Sequence, residues 1–177
     1  MSYRVIFGNA GSNHHSTFAR TGQHGLFISK PTANVLNCAD GDLLFDSIEI
    51  ENAVAVNGGV SILQSIVVFS KDDNLPAIDL LFYQVTQDFG TAGTAITGTM
   101  TPAEADAAVL LGHVAVTDWC ILANADAHLA TKTNVGLILK AAAASKSIYM
   151  AGIVRSAGAS AWGATTDVDI RLGIIKD

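Results

Sequence analysis

The segment Asp167-Val-Asp-Ile-Arg-Leu-Gly-Ile-Ile175 decides the fold class, because its apolar residues recur at every second position. Val168, Ile170, Leu172 and Ile174 alternate with residues that are charged or glycine. A period of two places the apolar side chains on one face of a β-strand and the others on the opposite face. The segment therefore predicts a strand with one buried face and one solvated face.

Further segments of strand length precede it and are separated by residues typical of turns, such as Asn57-Gly58-Gly59. These segments are Leu43 to Ile50, Val60 to Phe69, Ile78 to Val85, Asp118 to Ala123, Val135 to Leu139 and Ser147 to Val154. Many short strands with few helical segments predict an all-β fold, either a β-sandwich or a jelly roll.

Two of these predicted strands have apolar residues at both odd and even positions. In the segment Val60 to Phe69, even positions carry Ile62, Ile66 and Val68, and odd positions carry Leu63, Val67 and Phe69. The segment Leu80 to Val85 behaves in the same way. A strand that is apolar on both faces needs cover on both sides. We expect the opposite sheet on one side and a loop, an arm or a neighbouring subunit on the other.

Residues 1–41 differ in composition from the rest of the chain. Glycines recur among Ser, Asn, Thr and His residues, which favours turns and extended backbone over helix. After one predicted strand at Tyr3 to Phe7, this part predicts an extended N-terminal arm that offers a surface to a partner. Residues 42–177 are then the β-sandwich domain.

One short helix is predicted after Thr101. Thr101 is a suitable N-cap, Pro102 fits the first helical position, and Glu104 completes a capping box. The helix is expected to continue to Leu111 and to stop at Gly112. The run 140–147 contains four consecutive alanines and is compatible with a second helical segment or with a loop.

Composition limits the classes of partner. The 177 residues correspond to one domain, with 50% hydrophobic and 15% charged residues. A formal net charge of −6 argues against a surface that neutralises phosphates, so we expect no nucleic-acid partner. The longest uncharged stretch, Asn52 to Ser70, is interrupted by polar residues, so no membrane span is expected.

Cysteine usage and the N-terminus indicate a reducing compartment. Cys38 and Cys120 lie far apart without metal-site spacing, and we interpret both as buried free thiols. The apolar run at Val5 to Phe7 is too short for a signal peptide. The chain is therefore expected to be made and assembled in the cytosol.

Histidines offer only weak candidates for a metal site. His14 and His15 are adjacent, so on an extended segment they point in opposite directions. Asp126 and His128 have a spacing that places both on one side of a strand or turn, but further ligands are needed. We expect loop and turn residues here, and no bound metal.

Catalytic motifs are absent from the sequence. Ser160 lies in Gly-Ala-Ser-Ala-Trp, which begins like a nucleophile elbow but has Trp162 in place of the final glycine, and no histidine follows it. Paired carboxylates, Asp72 with Asp73 and Asp167 with Asp169, fall on turns or on an exposed strand face. Phosphate-binding glycine motifs are also missing. We predict that the chain is not an enzyme and needs no cofactor.

The two tryptophans lie in different settings. Trp119 falls in an apolar strand and is predicted to pack in the core. Trp162 lies among small residues in a turn-rich segment, where an indole ring can anchor an interface or stack on a sugar. Trp162 is therefore the candidate binding residue, for a protein interface or for a glycan.

Four segments resemble parts of small virion proteins of tailed bacteriophages. Ser147-Ile-Tyr-Met-Ala-Gly-Ile-Val-Arg155 and Val168-Asp-Ile-Arg-Leu-Gly-Ile-Ile175 resemble their closing hairpin. Ser65-Ile-Val-Val-Phe-Ser-Lys-Asp-Asp73 and Ala77-Ile-Asp-Leu-Leu-Phe82 are similar to their paired core strands. The resemblance consists of strand and turn patterns, not of catalytic signatures.

The resemblance implies a β-sandwich structural protein of the virion that decorates or cements the capsid. Its expected partners are further copies of itself, as a homotrimer or another closed ring, and the major capsid protein. Its expected location is the capsid exterior, after synthesis in the host cytoplasm. Two other classes stay open: a carbohydrate-binding module on a tail or fibre, and a hydrolase with a metal near His14, His15, Asp126 or His128.

Overall fold

A computed structural model describes residues 38–72, 76–96, 101–123, 127–155, 164 and 167–176, and the backbone alone of residues 23–29. The strands are β1 Gln23–Ser29, β2 Leu43–Ile50, β3 Val60–Ser70, β4 Ala77–Tyr83, β5 Leu110–Val116, β6 Trp119–Ala123, β7 Ala127–Lys140, β8 Ile148–Arg155 and β9 Val168–Lys176. The helix α1 spans Pro102–Ala108. Within the described residues, no helix is both long and apolar enough to span a bilayer.

The strands form two antiparallel sheets. One sheet has five strands in the order β1-β9-β3-β7-β6, and the other has four in the order β2-β8-β4-β5. The apolar faces of both sheets contribute to one core, which includes Leu63 and Leu172 from the first sheet and Leu80 and Met150 from the second. The all-β sandwich predicted from the sequence is confirmed.

Most connections between the described strands pass from one sheet to the other. The antiparallel neighbours β4 and β5 share one sheet, and β6 and β7 share the other. However, β8 and β9 belong to different sheets, and so do β3 and β4. The predicted closing hairpin and the predicted pairing of core strands are therefore wrong, although the strands lie where the sequence places them. Strand positions follow from local patterns, whereas pairing depends on which sheet each strand joins.

A bulge divides β3 into two registers. Leu63 pairs with Leu137 and Ser65 pairs with Thr133, so Gln64 alone faces three residues of β7, 134–136, which is two more than a regular ladder has. Leu63 therefore shares the buried face with Ile66 and Val68, and Ile62 lies on the outer face. The parity assigned from sequence is wrong for Ile62 and Leu63, because a bulge shifts the alternation of side chains.

The outer face of the four-stranded sheet has its own apolar cluster. Tyr83 packs there with Phe89, Ile96 and Ala108, which come from the chain between β4 and β5 and from α1. The Tyr83 and Phe89 rings meet edge to face, with their centroids 4.9 Å apart. The second apolar face of β4 is thus covered by a loop and a helix of the same chain.

The helix begins as predicted and ends earlier. The Thr101 hydroxyl accepts a hydrogen bond from the Glu104 amide, and the Glu104 carboxylate accepts one from the Thr101 amide at 2.7 Å. Val109 then adopts a left-handed conformation with φ of 54°, and Leu110 begins β5. The predicted extension of the helix to Leu111 is wrong, because the chain from Leu110 onward pairs with β4 as a strand. Residues 141–147 form a loop, not a second helix.

Part of the predicted arm belongs to the sandwich. Residues 23–29 form β1, which pairs with β9 from Gln23 opposite Lys176 to Ser29 opposite Ile170. The sequence predicted no strand here, because only a short apolar segment stands between polar residues. The predicted strand Tyr3 to Phe7 lies outside the described residues, and the domain boundary after residue 41 stays a prediction.

Candidate functional site

Strand β6 presents an apolar edge. It is the last strand of the five-stranded sheet, and it pairs with β7 on one side only among the described strands. Its sequence, Trp-Cys-Ile-Leu-Ala, contains no charged residue. The Ile121 side chain is 68% exposed and the Leu122 side chain is 55% exposed. We call Cys120, Ile121 and Leu122 the edge surface.

The edge surface lacks some of the protection usual at sheet edges. Natural edge strands avoid pairing with other chains through charged residues, proline, bulges or short length. β6 is five residues long and has a register irregularity between Ile121 and Ala123, but it carries neither a lysine nor a proline. Adjacent residues of a strand point to opposite faces, so Ile121 and Leu122 offer apolar contact on both sides of the sheet.

A second exposed apolar surface lies on the outer face of the same sheet. Ile62 of β3 pairs with Ile138 of β7 on one side and with Ile175 of β9 on the other. Ile62 is 40% exposed and Ile138 is 61% exposed. We call these three residues the isoleucine row. The row covers three neighbouring strands, so its side chains form one continuous patch.

A shallow groove of about 430 Å³ runs between β5 and the bulged part of β7. Its lining includes His113, Lys132 and Asn134. Gln64 Nε2 donates a hydrogen bond of 3.1 Å to Asn134 Oδ1, which holds the bulge against β3. The lining of the groove therefore contains only two ionisable side chains, His113 and Lys132.

His128 has a structural role. Its side chain is buried, and Nδ1 lies 3.0 Å from the Asp72 carbonyl oxygen. Ser70 Oγ donates to the same carbonyl at 3.0 Å and accepts from the Asp72 amide at 3.2 Å. The imidazole and the hydroxyl together fix the chain that leaves β3.

The metal-site candidates are only partly described. His14, His15 and Asp126 lie outside the described residues, so a metal near these residues and His128 stays a prediction. In the described parts of the chain, no group of three His, Cys, Asp or Glu side chains is placed to hold a metal ion.

The carboxylates do not all lie on solvated surface. Asp167 Oδ2 accepts a hydrogen bond of 2.7 Å from the Ala164 amide at the turn before β9. Asp169 is buried, which contradicts the predicted exposed strand face. Asp169 pairs with Phe69 of β3, so the large Phe69 side chain lies beside it on the same face. Asp73 and Ser160 lie outside the described residues.

The cysteine prediction is half right. Neither cysteine forms a disulfide; Cys38 is buried, whereas Cys120 is exposed on the edge surface. The sequence around Cys120 is apolar, and this composition gave no sign that the strand lies at a sheet edge. Edge position depends on the pairing of distant strands, so no local signal locates it.

Of the two tryptophans, only Trp119 is described. Its ring is partly buried against the core, and Nε1 donates a hydrogen bond of 3.1 Å to the Pro76 carbonyl oxygen. Trp162 lies outside the described residues, so its role at an interface or a glycan stays a prediction.

Three ionisable groups have clearly shifted pKa values. Burial raises the pKa of the Tyr83 phenol. The Thr101 amide and hydroxyl donate to the Glu104 carboxylate and lower its pKa. Desolvation lowers the pKa of the Lys176 ammonium, whose Nζ donates to the Asn52 carbonyl oxygen. These groups lie apart, in the second apolar cluster, at a helix cap and at a strand end, and form no acid-base pair.

Comparison of the chain with protein-family models, with curated proteins and with solved structures finds no match. The functional interpretation therefore depends on the surfaces themselves. The edge surface is the strongest candidate, since it joins an open strand edge to exposed apolar side chains.

Proposed function

We propose that the chain is a structural subunit of a virus particle that decorates or cements the capsid through contacts between subunits. The edge surface is the observation that carries this proposal. An exposed strand edge offers backbone hydrogen bonds, and Ile121 and Leu122 offer apolar contact, so a second chain can extend the sheet.

Two sequence features support the same interpretation. The net charge of −6 suits the exterior of a capsid better than a surface facing packaged DNA. Strand and turn patterns resemble those of virion proteins, although the strands quoted for that resemblance lie in opposite sheets and do not form hairpins.

The oligomeric state tests the subunit contact. Light scattering at micromolar concentration should give a mass equal to several chains, three for the expected trimer. Ile121→Lys with Leu122→Lys should reduce it to that of one chain, because two charges on an apolar edge oppose strand pairing. Val56→Lys is the control, since Val56 is 63% exposed in a loop outside the sheets. A wild-type mass of one chain overturns the contact.

Location on the particle tests the virion role. Intact particles from the source are labelled with antibody against this chain and viewed by electron microscopy. Label distributed over heads supports capsid decoration. Label confined to tails favours the alternative, a carbohydrate-binding tail or fibre module. Particles without label overturn the proposal.

A further inference from the structure

The isoleucine row ends beside the point where the N-terminal residues join the sheet. Ile175 pairs with Ile62 on one side and with His24 of β1 on the other. Neighbouring strands lie about 4.8 Å apart, so the backbone of His24 is about 10 Å from that of Ile62. Residues 1–22, which lie outside the described residues, therefore precede a position directly next to the row.

The length of the N-terminal segment fits a return onto the row. Its apolar part is Tyr3-Arg-Val-Ile-Phe7, and residues 8–22 separate that part from Gln23. Fifteen residues span up to about 50 Å when extended, which is several times the distance to Ile62. The predicted strand Tyr3 to Phe7 can therefore reach the row without strain in the connection.

The row is also the nearer of the two exposed apolar surfaces. The edge surface lies at the opposite end of the sheet, where Ile121 pairs with His128 and His128 pairs with Ser70. Ser70 is about 27 Å along β3 from Ile62, at about 3.4 Å per residue. Proximity thus favours the row as the site for the N-terminal segment.

We propose that Tyr3 to Phe7 of the same chain packs over the isoleucine row and covers the second apolar face of β3. The four-stranded sheet shows the same solution, since its outer face is covered by residues of the same chain. On the predicted strand, Tyr3, Val5 and Phe7 share one face and supply apolar area to match Ile62 and Ile138. This inference goes beyond the proposed function and needs no assembly.

Thiol labelling measures whether the row is covered. Cys120→Ser leaves only the buried Cys38, and Ile138→Cys then places one accessible thiol in the row. Val56→Cys in the same background is the matched control, because Val56 lies in a loop outside both the row and the edge surface. Ile138 and Val56 are similarly exposed, at 61% and 63%, so without a cover their maleimide rates should agree. With the cover, the rate at position 138 should be at least about tenfold lower. Equal rates overturn the proposal.

A second set of variants identifies the cover. Val5→Ser with Phe7→Ser should raise the rate at position 138 about tenfold and leave the rate at position 56 unchanged. Ser12→Ala with Ser16→Ala, in the connecting residues, should change neither rate. An unchanged rate at position 138 shows that Tyr3 to Phe7 is not the cover.

The concentration dependence separates the same chain from a neighbouring one. Protection by the same chain should be constant on dilution, whereas protection that increases with protein concentration assigns the cover to another copy and overturns the inference. A monomeric protein with a protected position 138 supports this inference while it counts against the proposed assembly.

Discussion

Gly152→Ala tests the closest packing between two strands of the four-stranded sheet. Gly152 of β8 pairs with Phe45 of β2, and a Cβ atom at this position would lie closest to Phe45 Cε1, with Cζ at 2.8 Å and Cδ1 at 2.9 Å. Carbon atoms in contact prefer about 3.5–4.0 Å. The Phe45 ring must therefore move by more than about 1 Å, although its side chain is only 2% exposed.

The expected loss is about 1–2 kcal/mol of unfolding free energy. Overpacking a dense core costs about 1–3 kcal/mol, and replacement of glycine recovers about 0.4–1 kcal/mol through the unfolded chain. For a chain of this size, the melting temperature should fall by about 2–8 °C. Urea unfolding followed by circular dichroism gives the free energy directly.

Gly173→Ala is the matched control for this prediction. The nearest atom to its added Cβ is the Ser65 hydroxyl oxygen, and the next, Ser65 Cβ, is 3.7 Å away. Rotation of one hydroxyl relieves that contact, so the change should stay below about 1 kcal/mol. Equal free energies for Gly152→Ala and the wild type would refute the close approach of Phe45.

Further predictions concern the helix cap and the buried histidine. Thr101→Ala should cost about 0.5–2 kcal/mol in urea unfolding, because the side-chain acceptor at the N-cap is lost. Because the folded protein lowers the pKa of Glu104, its carboxylate stabilises the fold at pH values above the unfolded pKa of about 4.3. This stabilisation is lost as the pH falls through the lower pKa of the folded state. Glu104→Gln should remove that part of the pH dependence of the unfolding free energy. The same pH dependence in the variant and the wild type contradicts the role of Glu104 in the cap. His128→Leu should cost about 0.5–1.5 kcal/mol of unfolding free energy, because it removes one of two hydrogen bonds to the Asp72 carbonyl oxygen while the Ser70 hydroxyl keeps the other. An unchanged melting temperature contradicts this role.

The sequence by itself determined where most strands lie. Leu43–Ile50 has the predicted bounds, and β9 follows the alternation that starts at Val168. The capping box at Thr101 also formed as predicted. These features depend on residues close together in the chain, namely side-chain period, turn residues and a cap with its partner three positions away. Local physics is sufficient to specify them.

Only the tertiary structure decided which strands pair and which faces are covered. The bulge at Gln64 placed Ile62 on the outer face of the sheet. Cys120 and Ile121 are exposed because β6 is the last strand of its sheet. The candidate site was therefore missed at the sequence level, where β6 resembled a core strand. Its exposure depends on the strand order around β7, which forms through hydrogen bonds between residues distant in the chain. A pattern that repeats every two residues describes the faces of a strand but carries no information about its neighbours.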